Sequence, residues 1–164
     1  MEFKIVFLGP QSSGKSAFLL RAIADNYHEN YFSTCGASYM GKIIIIDENQ
    51  YKLNFWDIGG DERLVQLSVM YTRDADAILL FYDTSNDLGF DKIPELVTFY
   101  KNTIPSDSCL FIIGAKVDCG NNTPAIGKAV RFCNENGIKH FLTSSKTREN
   151  VDSIVQEITK KCIG

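Results

Sequence analysis

The chain has 164 residues, 45% of them hydrophobic, which is about one domain and enough for a core built without cross-links. A net charge of −3 and a pI near 5.4, with no basic stripe, leave no electrostatic footprint for a DNA or RNA backbone, so no nucleic-acid partner is expected. No apolar run approaches the ~20 residues of a membrane-spanning helix and Met1 leads straight into a strand-like segment, so a soluble, cytoplasmic chain is expected.

Taken in chain order, residues 3–9 (FKIVFLG) form the first apolar, β-branched run, followed by helical spacing over 15–25. Residues 41–57 read as an antiparallel hairpin, with the polar DENQ between GKIIIID and an extended run ending at Asp57. Helical spacing returns at 62–72, then the buried-strand run AILLFYD (77–83), a helix over 88–102, and CLFIIGA (109–115). Helical spacing over 122–136, a weaker strand KHFLT (139–143) and a helix over 149–161 complete the pattern. Strands alternating with helices predict one α/β domain over 1–164: six strands, mostly parallel with one antiparallel edge pair, and about five helices.

Gly9 to Ser16 carry Gly-x-x-x-x-Gly-Lys-Ser directly after a strand and directly before a helix, the context a phosphate-binding loop requires. Glycines let such a loop curl so that backbone N–H groups of Gln11, Ser12, Ser13 and Gly14 point at a phosphate, helped by the positive end of the helix dipole. Lys15 would reach the β- and γ-phosphates and the Ser16 hydroxyl would ligate Mg²⁺. A Gly/Ser turn with a solvated lysine is the plainer alternative, and the strand and helix on either side argue against it.

A triphosphate site needs a second acid and a base-recognition element. NFWDIGGDE supplies Asp57 for the metal side and Gly60, whose N–H faces the γ-phosphate with no side chain in the way. GAKVD at 114–118 presents Lys116 and Asp118 after a buried strand, and LTSSK at 142–146 follows another. Asp118 can accept from both the N1–H and the exocyclic amine of guanine, a pattern adenine does not offer.

These segments together resemble a Ras-superfamily small GTPase, and within it the Rab branch, over essentially the whole chain. The resemblance rests on Gly9–Ser16, Thr34 in STCG, Trp56–Asp57–Ile58–Gly59–Gly60, Ala115–Lys116–Val117–Asp118 and Ser144–Ser145–Lys146. It implies a P-loop NTPase fold that binds GTP or GDP with Mg²⁺ held by Ser16, Thr34 and Asp57. It also implies nucleotide contacts from the P-loop through Ala17, from Tyr27 at the guanine edge, and from Lys116, Asp118 and residues 144–146. Effectors, exchange factors and activating proteins would bind through residues 30–40 and 58–72, with Tyr39, Trp56 and Tyr71 matching the aromatic triad of Rabs. Rabs also carry a prenylated tail; KKCIG has only two residues after Cys162, so it is not a prenylation box, and membrane attachment would need a tail not present here.

Three departures from the family bear on chemistry. Gln11 stands where Ras has glycine and Rabs usually have serine, and overhangs the γ-phosphate. Asp61 replaces the glutamine that orients the attacking water; when ionised it only accepts hydrogen bonds. At ~5 Å from a phosphate it would meet about 3 kcal/mol of repulsion at an effective dielectric of 20, so its side chain is expected to turn away and leave hydrolysis, with Lys15 and Gly60 in place, slow. Ala115 replaces the asparagine of Asn-Lys-x-Asp, which costs about 1–3 kcal/mol of binding. The expected function is a slow Rab-like switch in vesicle traffic; a nucleotide-binding scaffold that does not turn over is the rival, and a small P-loop kinase lacks the lid and arginines it would need.

The remaining reactive residues read as structural. The five cysteines (35, 109, 119, 133 and 162) are odd in number, without metal or redox spacing, and fit free thiols. His28 and His140 have no partner at metal or triad spacing.

Overall fold

A computed structural model describes residues 1–28 and 36–164. Six strands form one sheet in the order β2-β3-β1-β4-β5-β6, with β1 (Glu2–Leu8), β3 (Asn49–Ile58), β4 (Ala77–Asp83), β5 (Cys109–Ala115) and β6 (Lys139–Leu142) parallel. Only β2 (Ala37–Ile46) runs antiparallel, paired with β3 at the sheet edge. This is the expected arrangement, and the chirality of parallel crossovers places helices on both faces.

Each face has its own core. Phe7, Phe18 and Phe81 pack with α1 (Lys15–Ala24) and α5 (Val151–Ile163) on one side, ring centroids 5.1–5.8 Å apart. Val6, Leu80 and Tyr82 pack with α3 (Ile93–Lys101) and α4 (Pro124–Asn136) on the other. Strands buried on both faces explain why β4 reads as an unbroken apolar run.

Three boundaries differ from those expected. The hairpin turn is shorter than DENQ: β2 runs to Ile46 and β3 starts at Asn49, leaving Asp47 and Glu48, both at positive φ (49° and 64°), as a two-residue turn whose twist suits the strands. The 88–102 helix begins only at Ile93. Asn86 Oδ1 accepts from Leu88 N at 3.0 Å and Asp83 Oδ1 from Ser85 N at 2.9 Å, so these side chains hold the preceding chain in turns, and Pro94 suits the first helical turn. The 62–72 segment opens as a 3₁₀ turn (Glu62–Leu64) capped by Asp61 before α2 (Val65–Thr72) begins.

All the parallel strands point their C-terminal ends the same way. Gly9–Ser16, residues 59–61, residues 116–118 and residues 143–147 therefore emerge along one edge of the sheet, where open α/β folds bind ligands. Among the described residues no helix is long and apolar enough to cross a membrane.

Candidate functional site

Gly9–Gly14 arches from the end of β1 to the start of α1, as a phosphate loop must. Gly14 takes φ +98°, and a Cβ there would lie 2.7 Å from the Ala115 methyl, so both conformation and space require glycine. Lys15 is 5% exposed and folds back over the loop, its Nζ donating to Gly9 O at 2.9 Å, Pro10 O at 3.0 Å and Ser13 Oγ at 3.3 Å. Burial pushes its pKa down to about 8, and Asp57 opposes that shift. The carbonyls now held by the ammonium are those a phosphate would replace as its partners.

Ser16, in the first turn of α1, donates its hydroxyl to Asp57 Oδ2, and Asp57 is buried at the end of β3. Two hard oxygen donors from distant elements thus meet below the loop, a set that suits Mg²⁺, which binds through few protein oxygens plus phosphate and water. Among the described residues no group of three or more His, Cys, Asp or Glu forms a protein cage for a metal, as that mode of binding allows. Thr34, the third expected ligand, lies outside the described residues, as does Cys35.

Gly60 lies directly against this loop. A Cβ on it would meet Gln11 N at 2.4 Å and the Pro10 carbonyl carbon at 2.5 Å, so only glycine lets the backbones touch. One residue on, Asp61 turns onto Arg63: Oδ1 accepts from the Arg63 amide at 2.9 Å and both carboxylate oxygens accept from its Nε at 3.1 Å. The Arg63 guanidinium and amide hold the Asp61 carboxyl down at about 2. Asp61 therefore caps a helical turn and stays ionised.

At the base end, Asp118 Oδ1 accepts from Ser144 Oγ at 2.6 Å, joining the two base-side loops. Lys116 stands at φ +67° and donates to Ser12 O at 2.6 Å and Asp83 Oδ2 at 2.8 Å. Ser12 is also left-handed, at φ +60°, so two costly conformations are held by one lysine bridging base loop and phosphate loop, as functional sites often do. Ala115 is buried in the core beneath Gly14, and its carbonyl accepts from Thr84 N and Oγ1 at 3.0 and 2.7 Å. Lys116, the next residue, ties this segment to Ser12 of the loop before α1.

Most of the predicted residues thus converge on one edge: Gly9, Gln11, Ser12, Ser13, Gly14, Lys15, Ser16 and its neighbour Ala17, with Asp57, Gly60, Lys116, Asp118 and Ser144–Lys146. Tyr27 follows α1 and faces the guanidinium of Arg21, 5.8 Å from its ring. Asp83 was missed, although an acid ending an unbroken apolar strand is a signal for it; Arg21 was missed because it reads as one more basic residue on an amphipathic helix. Tyr39, Trp56 and Tyr71 form one chain of rings, at 5.1 and 5.5 Å, with Tyr39 48% exposed. His140 sits inside, Nε2 bonded to Tyr82 Oη at 2.8 Å, and burial lowers its pKa to about 4, a structural role.

A protein-family model described as the Ras family matches residues 4–164. The chain is 33% identical over 160 residues to the Ras-related protein Rab-1 of Theileria annulata, covering 96% of this chain and 73% of that protein. It is 31% identical over 171 residues to the GTP-binding protein YPT53 of Saccharomyces cerevisiae, covering 98% and 76%. It is 28% identical over 162 residues to the Ras-related protein Rab-21 of Mus musculus, covering 98% and 73%.

Proposed function

Since the chain belongs to the Ras family and is a Rab-like member of it, we propose that it is a guanine-nucleotide switch of membrane traffic whose intrinsic GTP hydrolysis is slow. The observation that carries this reading is the contact of the Ser16 hydroxyl with buried Asp57 beneath the Lys15 loop. It joins a phosphate cradle to the donors for a metal, the minimum for a switch that senses a γ-phosphate.

The residues divide the work. Lys15 exchanges its carbonyl partners for phosphate oxygens, and the amides of residues 11–16 surround the β-phosphate. Ser16 and Asp57, with Thr34 as the expected third ligand, would hold Mg²⁺, which would supply charge neutralisation to the phosphates. Asp118 and the Ser145 amide read guanine, and Tyr27 covers its edge. Gly60 offers its N–H to the γ-phosphate and passes the state of the nucleotide to residues 58–72. With residues 30–40 these would carry effectors, exchange factors and activating proteins, the Tyr39–Trp56–Tyr71 rings supplying the apolar centre of the contact.

Slow hydrolysis follows from Asp61. Its carboxylate is engaged by Arg63, carries a negative charge and has no proton to donate to the transferring phosphoryl group. The same observation favours a second reading, a nucleotide-binding scaffold without turnover, to which Gln11 and Ala115 add weight. Denaturing the purified protein and identifying the released nucleotide by chromatography tests the site: GDP is expected, and a folded but nucleotide-free protein would overturn the switch. Single-turnover hydrolysis on GTP-loaded protein then separates the two readings, the switch giving a slow but measurable rate that rises when Asp61 is replaced by glutamine.

A further inference from the structure

The C-terminal turn of α1 grips the loop that would read the base. Arg21 Nε donates to Ser145 O at 2.7 Å and Nη2 to Lys146 O at 3.0 Å, so one planar guanidinium holds two successive carbonyls. Its Nη1 turns back to Asp25, at 3.3 Å from the main-chain oxygen and 3.2 Å from Oδ1. Asp25 Oδ1 also accepts from Arg148 of the same loop, and Arg148 is tied to Asp152 of α5 at 3.0 and 3.1 Å. The Arg21 side chain is 16% exposed and its bond to Ser145 O is partly buried, whereas the Asp25 carboxylate it holds is open to water.

The guanidinium also lies over Tyr27, 5.8 Å from the ring. One residue thus touches both elements expected around the base, the 144–146 loop and the aromatic after α1. It does so from the helix that begins with Lys15 and Ser16, the expected holders of phosphate and metal. Two turns of rigid helix fix the span from phosphate cradle to base loop. Lysine would not replace arginine here, because its point charge has no fork to match two carbonyls.

Building on the guanine-nucleotide reading, we infer that Arg21 is a positioning residue for the base: it holds the Ser145 amide against the guanine oxygen and sets the rate at which nucleotide leaves. Its bonds are to the loop's carbonyls, and so it acts through Ser145, Lys146 and Tyr27.

Release of fluorescent N-methylanthraniloyl-GDP, measured with and without EDTA, tests this on the full chain. Arg21→Met is expected to speed release in Mg²⁺ about 10- to 100-fold, as the loss of two charge-assisted bonds implies. The factor by which EDTA accelerates release should stay at the parental value, because the metal end is untouched. GDP and IDP should weaken together, since both bases carry the oxygen that Ser145 faces, whereas Asp118→Asn should abolish the preference for GDP. Arg21→Lys, which keeps charge and bulk and tests the fork even if Arg21→Met does not fold, should fall between parent and Met variant. Release at the parental rate in both variants, or a change in the EDTA factor, overturns the role of Arg21. A parent protein that holds no guanine nucleotide would instead overturn the reading of the site itself.

Discussion

Lys15 and Asp61 lie on either side of the same loop, and their surroundings differ in kind. Lys15 is 5% exposed, bonded to two carbonyls, and has lost water to the point that its pKa falls to about 8. Asp61 is partly exposed, its side chain 26%, and paired with an arginine whose side chain is 88% exposed. On the proposed reading, binding phosphate would draw on groups built into the core, where dielectric is low and geometry is set by two packed cores. Orienting water for hydrolysis would fall to a more open segment, held by a surface ion pair. A substitution at Lys15 is therefore expected to disturb both binding and packing, whereas one at position 61 is expected to act on turnover and, on the fold, only through the helical turn it caps. That is why a chain can depart from its family at Asp61 and retain the P-loop intact.

The sharpest test of this contrast is Lys15→Met, which keeps length but removes the charge. It should weaken GDP binding more than about 100-fold, as loss of a buried phosphate contact implies, when measured by equilibrium titration. Retention of parental affinity would place the phosphate elsewhere.

Asp61→Gln comes next, with a single-turnover rate about 10-fold above the parent, since an amide both accepts from water and donates to a γ-oxygen, and a slightly lower melting temperature, since the cap on the Arg63 amide is lost. Adding Gln11→Gly should raise the rate further than the sum of the separate effects, because the two side chains share one pocket. A rate that falls on Asp61→Gln would make the aspartate a productive partner of the water.

Ala115→Asn should slow GDP release about 5-fold, the equivalent of about 1 kcal/mol, by adding an amide between base loop and phosphate loop. The gain is modest because Lys116 already ties the two through Ser12. Faster release would mean that the buried methyl under Gly14 has no room beyond it for an amide.

The smallest effect is on pH. Phosphate requires charged Lys15, so GDP affinity should fall about 3-fold from pH 7.5 to 8.5 as the amine of the empty loop titrates near 8. Stability of the empty protein moves the other way. With a folded pKa of about 8 against 10.5 unfolded, the unfolded chain binds more protons between those values, so stability rises with pH across that window and the benefit is lost as pH falls through 8. Denaturant titrations of nucleotide-free protein at pH 7.5 and 9.5 would read this, and Lys15→Met should abolish the difference.

Much of this was legible in the sequence because the physics is local. An unbroken, β-branched and aromatic run such as residues 77–83 reads as a strand covered on both faces, and its bounds agree with those observed. Gly9–Ser16 carries its strand, loop and helix in one stretch. The late start of α3 was not legible, because Asp83 and Asn86 divert the chain into side-chain-capped turns that helical spacing cannot register. Nor was Arg21, whose partners lie 124 and 125 positions away. The pairing of Asp61 with Arg63, two residues on, was not legible either, since nothing in the pattern distinguishes a capping pair from two solvated charges.

The contact of Gly60 with Pro10 and Gln11 has a mechanical meaning. Most elements in a protein touch through side chains, which change rotamer and so act as a compliant layer. Here two main chains meet with no such layer, at separations a single methyl group would close. A shift of a few tenths of an ångström in residues 10–11 therefore cannot be absorbed locally; residues 58–61 must take it up, and Asp61 then hands it to the helical turn it caps. The joint works like a rigid coupling between loop and helix, and its stiffness comes from the side chain that position 60 does not have.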